Sequence, residues 1–208
     1  MKRPIYVICG SLLLASCGSG GGGASIPATT SNSGSGTSSA QSANYFPLAA
    51  GNSWTYQGGL YYAISSPITV SGQTAYPYQG GCNEWDYLYK DSSGNVYSIG
   101  QTVSGTGAVT VYPQPQLIVR SQLSAGMTWQ NNLGFVTESV SVGSPVTVTV
   151  NGANVTGYPI ATTDHYSTPS TGTTVFVANY GPVQVTNWCP NPSVQENLTS
   201  VNISASSI

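Results

Sequence analysis

The chain has 208 residues, a formal net charge of −2 and only 5% charged residues, against roughly a quarter in an ordinary soluble domain. It is rich instead in glycine (25) and tyrosine (14). So few lysines and arginines exclude nucleic acid as a partner, because clustered cations are needed to displace counterions from phosphates.

In chain order, residues 1–16 read as an export signal. Lys2 and Arg3 give the positive start, Ile5 to Leu14 form a short apolar run, and the small residues Ala15 and Ser16 precede Cys17. The run is too short to span a bilayer, which takes about 20 apolar residues. Leu14-Ala15-Ser16-Cys17 resembles the lipobox of bacterial lipoproteins. That resemblance implies a diacylglycerol on Cys17, cleavage just before it and acylation of the new N-terminus. Two or three acyl chains hold a protein to a membrane where one binds only marginally. Gly18, standing where inner-membrane lipoproteins often carry Asp, implies the outer membrane as the destination. Without the signal, Lys90 and Arg120 are the remaining strong bases, against six acids.

Residues 17–43 comprise the lipidation site and a tether made almost wholly of Gly, Ser, Ala, Thr and Asn. Such a stretch cannot bury enough apolar surface to offset the entropy of ordering it. As a flexible leash it spans roughly 28 Å root-mean-square.

Residues 44–208 read as one β-rich domain, since aromatic and β-branched residues arrive together at about Asn44 and the length suits a single core. Alternation with period two dominates, and helical periodicity does not appear. Val146, Val148 and Val150 alternate with Thr147 and Thr149, while Trp85, Tyr87 and Tyr89 share a face opposite Asp86, Leu88 and Lys90. Further strands are expected at 53–57, 59–65, 95–99, 107–112, 116–120, 139–142, 173–180 and 182–188. Asp91 to Asn95 and Asn151-Gly152 read as hairpin turns. Ten to thirteen short-linked strands must curl, close or split into two sheets. The expectation is an all-β fold, a single antiparallel and strongly curled sheet or partial barrel, with a β-sandwich as the alternative.

Tyr45-Phe46-Pro47-Leu48-Ala49-Ala50-Gly51-Asn52-Ser53-Trp54-Thr55-Tyr56 resembles the motif that opens the folded part of many uncharacterised bacterial lipoproteins. Val175 to Val183, with Tyr180-Gly181-Pro182, resembles the element near the end of the same proteins. The resemblance implies a β-rich envelope lipoprotein and transfers no catalytic residues. Read physically, Pro47 sets an extended entry, Gly51-Asn52 makes a turn, and Trp54 and Tyr56 share one face of the first strand.

With Cys9 lost and Cys17 lipidated, Cys82 and Cys189 remain, and two exported cysteines in an oxidising compartment are expected to pair as one disulfide. Closing that loop stabilises by up to about 4.7 kcal/mol in the chain-entropy model.

Catalytic candidates are few. His165 is the single histidine, and on a strand its neighbour Asp164 would point to the opposite face. Glu84 and Asp86 share one face of a strand and read as a polar, solvent-facing edge rather than a glycosidase pair. Asp91-x-x-Gly94-Asn95 carries one carboxylate and reads as a turn rather than a calcium loop. No phosphate loop, dinucleotide fingerprint or HExxH occurs, and no cofactor or metal is expected. Tyr61, Tyr62, Tyr76 and Tyr78 are the candidate ligand-binding aromatics, because adjacent rings cannot all point inward. The functional expectation is a lipid-anchored, non-catalytic envelope protein with a binding or structural β-domain, its partners being the membrane and an envelope glycan or protein. A carbohydrate-binding module, an extracytoplasmic hydrolase and a lipid carrier are the alternatives.

Overall fold

Fourteen strands form one antiparallel sheet in the computed structural model, which describes residues 42–80, 84–102, 108–166, 170–186 and 195–204. The signal segment, Cys17, Cys82 and Cys189 lie outside the described residues, and with them the expected lipid site and disulfide. The first seven strands are β1 (Ser53–Tyr56), β2 (Tyr61–Ile64), β3 (Ile68–Val70), β4 (Gln73–Gln79), β5 (Trp85–Lys90), β6 (Val96–Thr102) and β7 (Val109–Val119). The second seven are β8 (Thr128–Asn132), β9 (Thr137–Val142), β10 (Val146–Val150), β11 (Ala153–Asp164), β12 (Ser170–Val177), β13 (Gly181–Thr186) and β14 (Gln195–Asn202).

The hydrogen-bonded path runs β7-β6-β5-β4-β2-β1-β14-β13-β12-β11-β9-β8, with β3 added beside β4 and β10 beside β11. It is a single sheet curled into a nearly closed barrel, and not a sandwich. The path's two ends, β7 and β8, meet through hydrogen bonds that each use a side chain. Trp129 Nε1 and Asn131 Nδ2 donate to the Leu117 carbonyl (2.8 and 3.2 Å), Leu117 N donates to Asn131 Oδ1 (3.0 Å), and Gln116 Nε2 donates to the Asn132 carbonyl (2.8 Å).

The second seven strands repeat the first, a duplication that the reading of the sequence did not anticipate. In each set the first, second, fourth, fifth, sixth and seventh strands pair in succession, and the third folds out beside the fourth. Leu48-Ala49-Ala50-Gly51-Asn52-Ser53-Trp54 returns as Leu123-Ser124-Ala125-Gly126-Met127-Thr128-Trp129. Likewise Ser66-Pro67-Ile68-Thr69-Val70 returns as Ser144-Pro145-Val146-Thr147-Val148, and Tyr76-Pro77 as Tyr158-Pro159. The main-chain bonds match as well. Gly51 N donates to the Ile64 carbonyl and Ile64 N to the Asn52 carbonyl (2.8 and 2.9 Å), as Gly126 N does to Val142 and Val142 N to Met127 (2.8 and 2.9 Å).

Proline explains where the third strand of each set begins. The second and third strands lie along the same edge of the fourth, one after the other: β4 pairs β3 at 73–75 and β2 at 78–79, with Pro77 in the gap. In β11 the switch from β10 to β9 brackets Pro159 in the same way. A residue without an N–H costs nothing where the ladder is already interrupted. Each proline carbonyl still accepts a bond, from Ser65 N and Gly143 N respectively (2.9 and 2.8 Å).

Inside the curl, Trp54, Tyr56, Tyr62, Ile64, Leu88, Val140, Ile160 and Phe176 make the main core, with Tyr76 and Tyr78 packed against it. Phe46 enters from the N-terminal arm and meets Trp54 and Tyr78 edge-on, at ring-centre distances of 5.7 and 5.3 Å. The two segments that carry the lipoprotein resemblance pack on each other: Trp54 Nε1 donates to the Tyr180 carbonyl (2.6 Å) and the Tyr56 hydroxyl to the Pro182 carbonyl (2.7 Å). Gly181, at φ +82°, lies so close beneath Trp54 that a Cβ there would stand 3.0 Å from the indole. Asn52, fully buried, ties this region to the N-terminal arm and to the segment after β14, donating to the Pro47 carbonyl (2.7 Å) and accepting from Ser204 N (2.8 Å). The motif is therefore a structural clasp.

Candidate functional site

Antiparallel strands reverse direction at each step, so strand ends gather at the two ends of the barrel. Ala43 N donates to the Ser121 carbonyl (2.9 Å) and Lys90 Nζ to Asn44 Oδ1 (2.8 Å), which seats the N-terminal arm where β5 and β7 finish. The opposite end is where β5, β7, β9 and β12 start and β4, β6, β8 and β11 finish. Five of the chain's six acids belong to that end: Glu84, Asp86, Glu138 and Asp164, and Glu196 at the start of β14. Lys90 and Arg120, the lysine and arginine among the described residues, belong to the arm end.

Asp86 corrects the expectation of a solvent-facing carboxylate pair. Register places it beside Tyr78 and Gln101 on the inner face, in the row next to Leu88 and Ser98, while Glu84 precedes the strand and is exposed. The Ser98 hydroxyl lies 3.3 Å from Asp86 Oδ1. Burial, and then the negative charge of Glu84, push the Asp86 carboxyl up to about 7, against the hydrogen bond from Ser98; Glu138 pushes in the same direction. Glu138 and Asp164 are cross-strand partners on β9 and β11. Burial raises both, and a hydrogen bond between the two carboxyls raises Glu138 further. Asn131 Nδ2 donates to Glu138 Oε2 (3.2 Å), and the Ser170 hydroxyl donates to Asp164 Oδ2 (3.4 Å). Tyr112, buried on β7, donates to Gln101 Oε1 (3.1 Å), and its hydroxyl is pushed upward by burial and by Asp86, Glu138 and Glu84.

His165 sits apart from this chemistry. Its Nε2 lies 2.7 Å from the Ser139 hydroxyl in an exposed pair. Asp164 is bonded elsewhere, to Glu138 and Ser170, so Ser139, His165 and Asp164 do not line up as a triad. Asp91 makes the expected turn, its Oδ1 accepting from Ser93 N and Asn95 N (both 2.9 Å). Among the described residues no three His, Cys, Asp or Glu side chains gather as a metal-binding group.

Of the four candidate ligand-binding tyrosines, Tyr62, Tyr76 and Tyr78 are core side chains, and Tyr61 is half exposed (51%). Residues 76 and 78 both point inward because Pro77 takes the outward position between them. The outer face holds the rings that the sequence could not assign. Trp85, Tyr87 and Tyr89 do share that face, packed with Val70, Ala75 and Ile99. Beside them runs an open groove of about 760 Å³, lined by Trp85, Tyr87, Pro77, Ile64 and Ile68, with Ser65, Ser66 and Thr102 among its other residues. Among the described residues, no charged one lines it. The Tyr87 hydroxyl is 2.6 Å from Thr102 Oγ1, which holds that ring in place. Ile68 of β3 lines it as well, and local sequence pattern does not show that β3 and Trp85 would share a groove.

No protein-family model matches the chain, and no curated protein or solved structure matches it either.

Proposed function

We propose that the chain is a lipid-anchored protein of the bacterial cell envelope, held at the outer membrane through Cys17, whose barrel is a non-catalytic module that binds an uncharged envelope glycan in its outer groove. The observation that supports this reading is the groove itself: Trp85 and Tyr87 line it beside Ser65, Ser66 and Thr102, and no charged residue stands among its described lining. Sugars present apolar faces that stack on aromatic rings and hydroxyls that hydrogen-bond at their edges. The barrel interior near Phe46 is filled by its own side chains, which leaves the lipid-carrier alternative without the apolar space it needs. The hydrolase alternative draws on Asp86, whose carboxyl is suited to general-acid work. Its nearest inward partners, Glu138 and Asp164, are occupied with each other.

The test is fluorescence titration of the full-length protein with soluble oligosaccharides prepared from the cell envelope. Saturable quenching that Trp85→Ala weakens at least tenfold, with the far-ultraviolet spectrum unchanged, is the expected result. Silence across the panel removes the glycan reading. Growth with labelled fatty acid tests the anchor, and an unlabelled Cys17 removes it.

A further inference from the structure

We propose that two copies of this chain associate edge to edge through β10, each lending its Val146–Val150 strand to one continuous sheet. β10 is hydrogen-bonded to β11 on one side, and among the described residues no strand pairs its other side. Val150 and Ala153 flank the two-residue turn at Asn151-Gly152, so they form a hydrogen-bonded pair. Alternation makes Val148 with Val155, and Val146 with Gly157, the next such pairs. Thr147 and Thr149 therefore aim their N–H and C=O groups away from β11, at the open side. An unpaired row of this kind is a template for another strand.

The independent sign is that the strand is complementary to itself. Val-Thr-Val-Thr-Val reads the same in both directions. A two-fold axis through Val148 thus sets Thr147 of each copy opposite Thr149 of the other, and Val146 opposite Val150. The two Thr147–Thr149 pairs then exchange two main-chain bonds each. Like side chains meet on both faces, threonine beside threonine on the exposed face and valine beside valine on the other, and such cross-strand pairs stabilise a sheet. Val146, now 39% exposed, gains cover from the second copy. A contact that repeats itself about a two-fold closes at two copies.

β10 also lacks the devices that keep other edges apart. Native sheets blunt an exposed edge with charge, proline, a bulge or brevity. β7 and β8 are tied to each other by side chains across the seam. β3, the matching strand of the first half, is three residues long, and Thr69 alone turns its main-chain groups outward there. β10 is two residues longer than β3, pairs β11 with no break in register, and contains neither proline nor charge. No charged residue occurs from Ser139 to Thr163, so two such edges meet without repulsion.

The experiment is sedimentation of the full-length protein in density-matched detergent over a concentration series, with co-purification of two differently tagged copies. The mass should rise from one copy to two and stop there. Thr147→Lys combined with Thr149→Lys sets like charges opposite each other across the axis, as does Thr147→Glu combined with Thr149→Glu. Each double variant should associate with itself at least tenfold more weakly than the unsubstituted chain. Mixed in equal amounts, the two should associate again, because every Thr147–Thr149 position then joins opposite charges. Both positions are exposed, so the barrel keeps its fold, and circular dichroism checks it. Thr69→Lys on β3 and Trp85→Ala in the groove should leave association unchanged, which separates this contact from the other edge and from glycan binding. A single copy at every concentration, growth past two copies, undiminished self-association of the double variants, a mixture that stays apart, or loss of association in Thr69→Lys overturns the proposal.

Discussion

Trp54 and Trp129 stand at the same place in the two halves of the barrel, each at the end of a Leu-x-Ala-Gly-x-Ser/Thr-Trp stretch. Trp54 is fully buried beneath Phe46 and bonded to the turn before β13. Trp129 is half buried, bonded across the seam to Leu117, with the Arg120 guanidinium over its ring. Where the first half has Phe46 and Tyr56, the second has Ser121 and Asn131. β1 joins β14 by a ladder, whereas the equivalent β8 meets β7 through side chains. The repeated features are those the backbone requires, namely the glycine turn, the ladder-gap proline and the folded-out third strand. The features that differ are inward side chains at matching places: Phe46 and Tyr56 join the hydrophobic core, where Ser121 and Asn131 make polar contacts, Asn131 with Leu117 across the seam.

The largest effect should come from breaking that symmetry at the tryptophans. Trp54→Ala removes a fully buried ring and the clasp to β13, and should cost about 4–5 kcal/mol, a large share of the roughly 5–15 kcal/mol that holds a domain folded. Trp129→Ala should cost less, about 2–3 kcal/mol, because the ring is only partly buried. Urea denaturation of the two variants measures the difference, and equal losses would mean that the halves are filled alike.

The acidic interior predicts the next effect. The Asp86 carboxyl stands near 7 in the folded protein against an ordinary value of 3.8. A raised folded value means that the protonated form is favoured, so its stabilising contribution is complete below the unfolded value and is lost as pH rises through about 7. Glu138 and Asp164 are raised in the same direction. The barrel should therefore be more stable at pH 5 than at pH 8, by about 2 kcal/mol once partial solvent screening is allowed for. Asp86→Asn should flatten most of that slope, and a pH series of melting curves reads it.

The smallest effect lies in the matching hairpin turns. Ser71-Gly72 and Asn151-Gly152 adopt the same left-handed pair of conformations, with φ of 49° and 81° in the first and 51° and 79° in the second. Asn tolerates that region better than Ser. Ser71→Asn should stabilise by about 0.5 kcal/mol and Asn151→Ser should destabilise by a similar amount. Opposite signs in the two halves would support the equivalence of the turns.

Several elements were legible in the residues because they depend on near neighbours. The Val-Thr alternation of β10, the shared face of Trp85, Tyr87 and Tyr89, and the Asp91 turn all follow from period two and local hydrogen bonding. β3, β4, β8, β11 and β14 fall outside the strands that the residue pattern predicts, and β7 joins two of them; in β4, β7 and β11 a proline interrupts the period-two run. Here Pro77 and Pro159 occupy ladder gaps, and Pro113 and Pro115 lie where the β6–β7 register is interrupted. Whether a proline falls at such a gap depends on a neighbour chosen far along the chain.

The order of amino acids by itself determined an all-β domain, its turns and the inward pairing of Trp54 with Tyr56, since these need only a pleat of period two and residues that accept a left-handed turn. Curling the sheet decided the rest. It seated Pro77 outward between two buried tyrosines, laid β3 beside Trp85 to wall a groove, and turned Asp86 inward toward Glu138, 52 positions further on. A carboxyl's environment is set by whichever strands surround it in space, and those strands are joined by ladders whose partners the local pattern does not name.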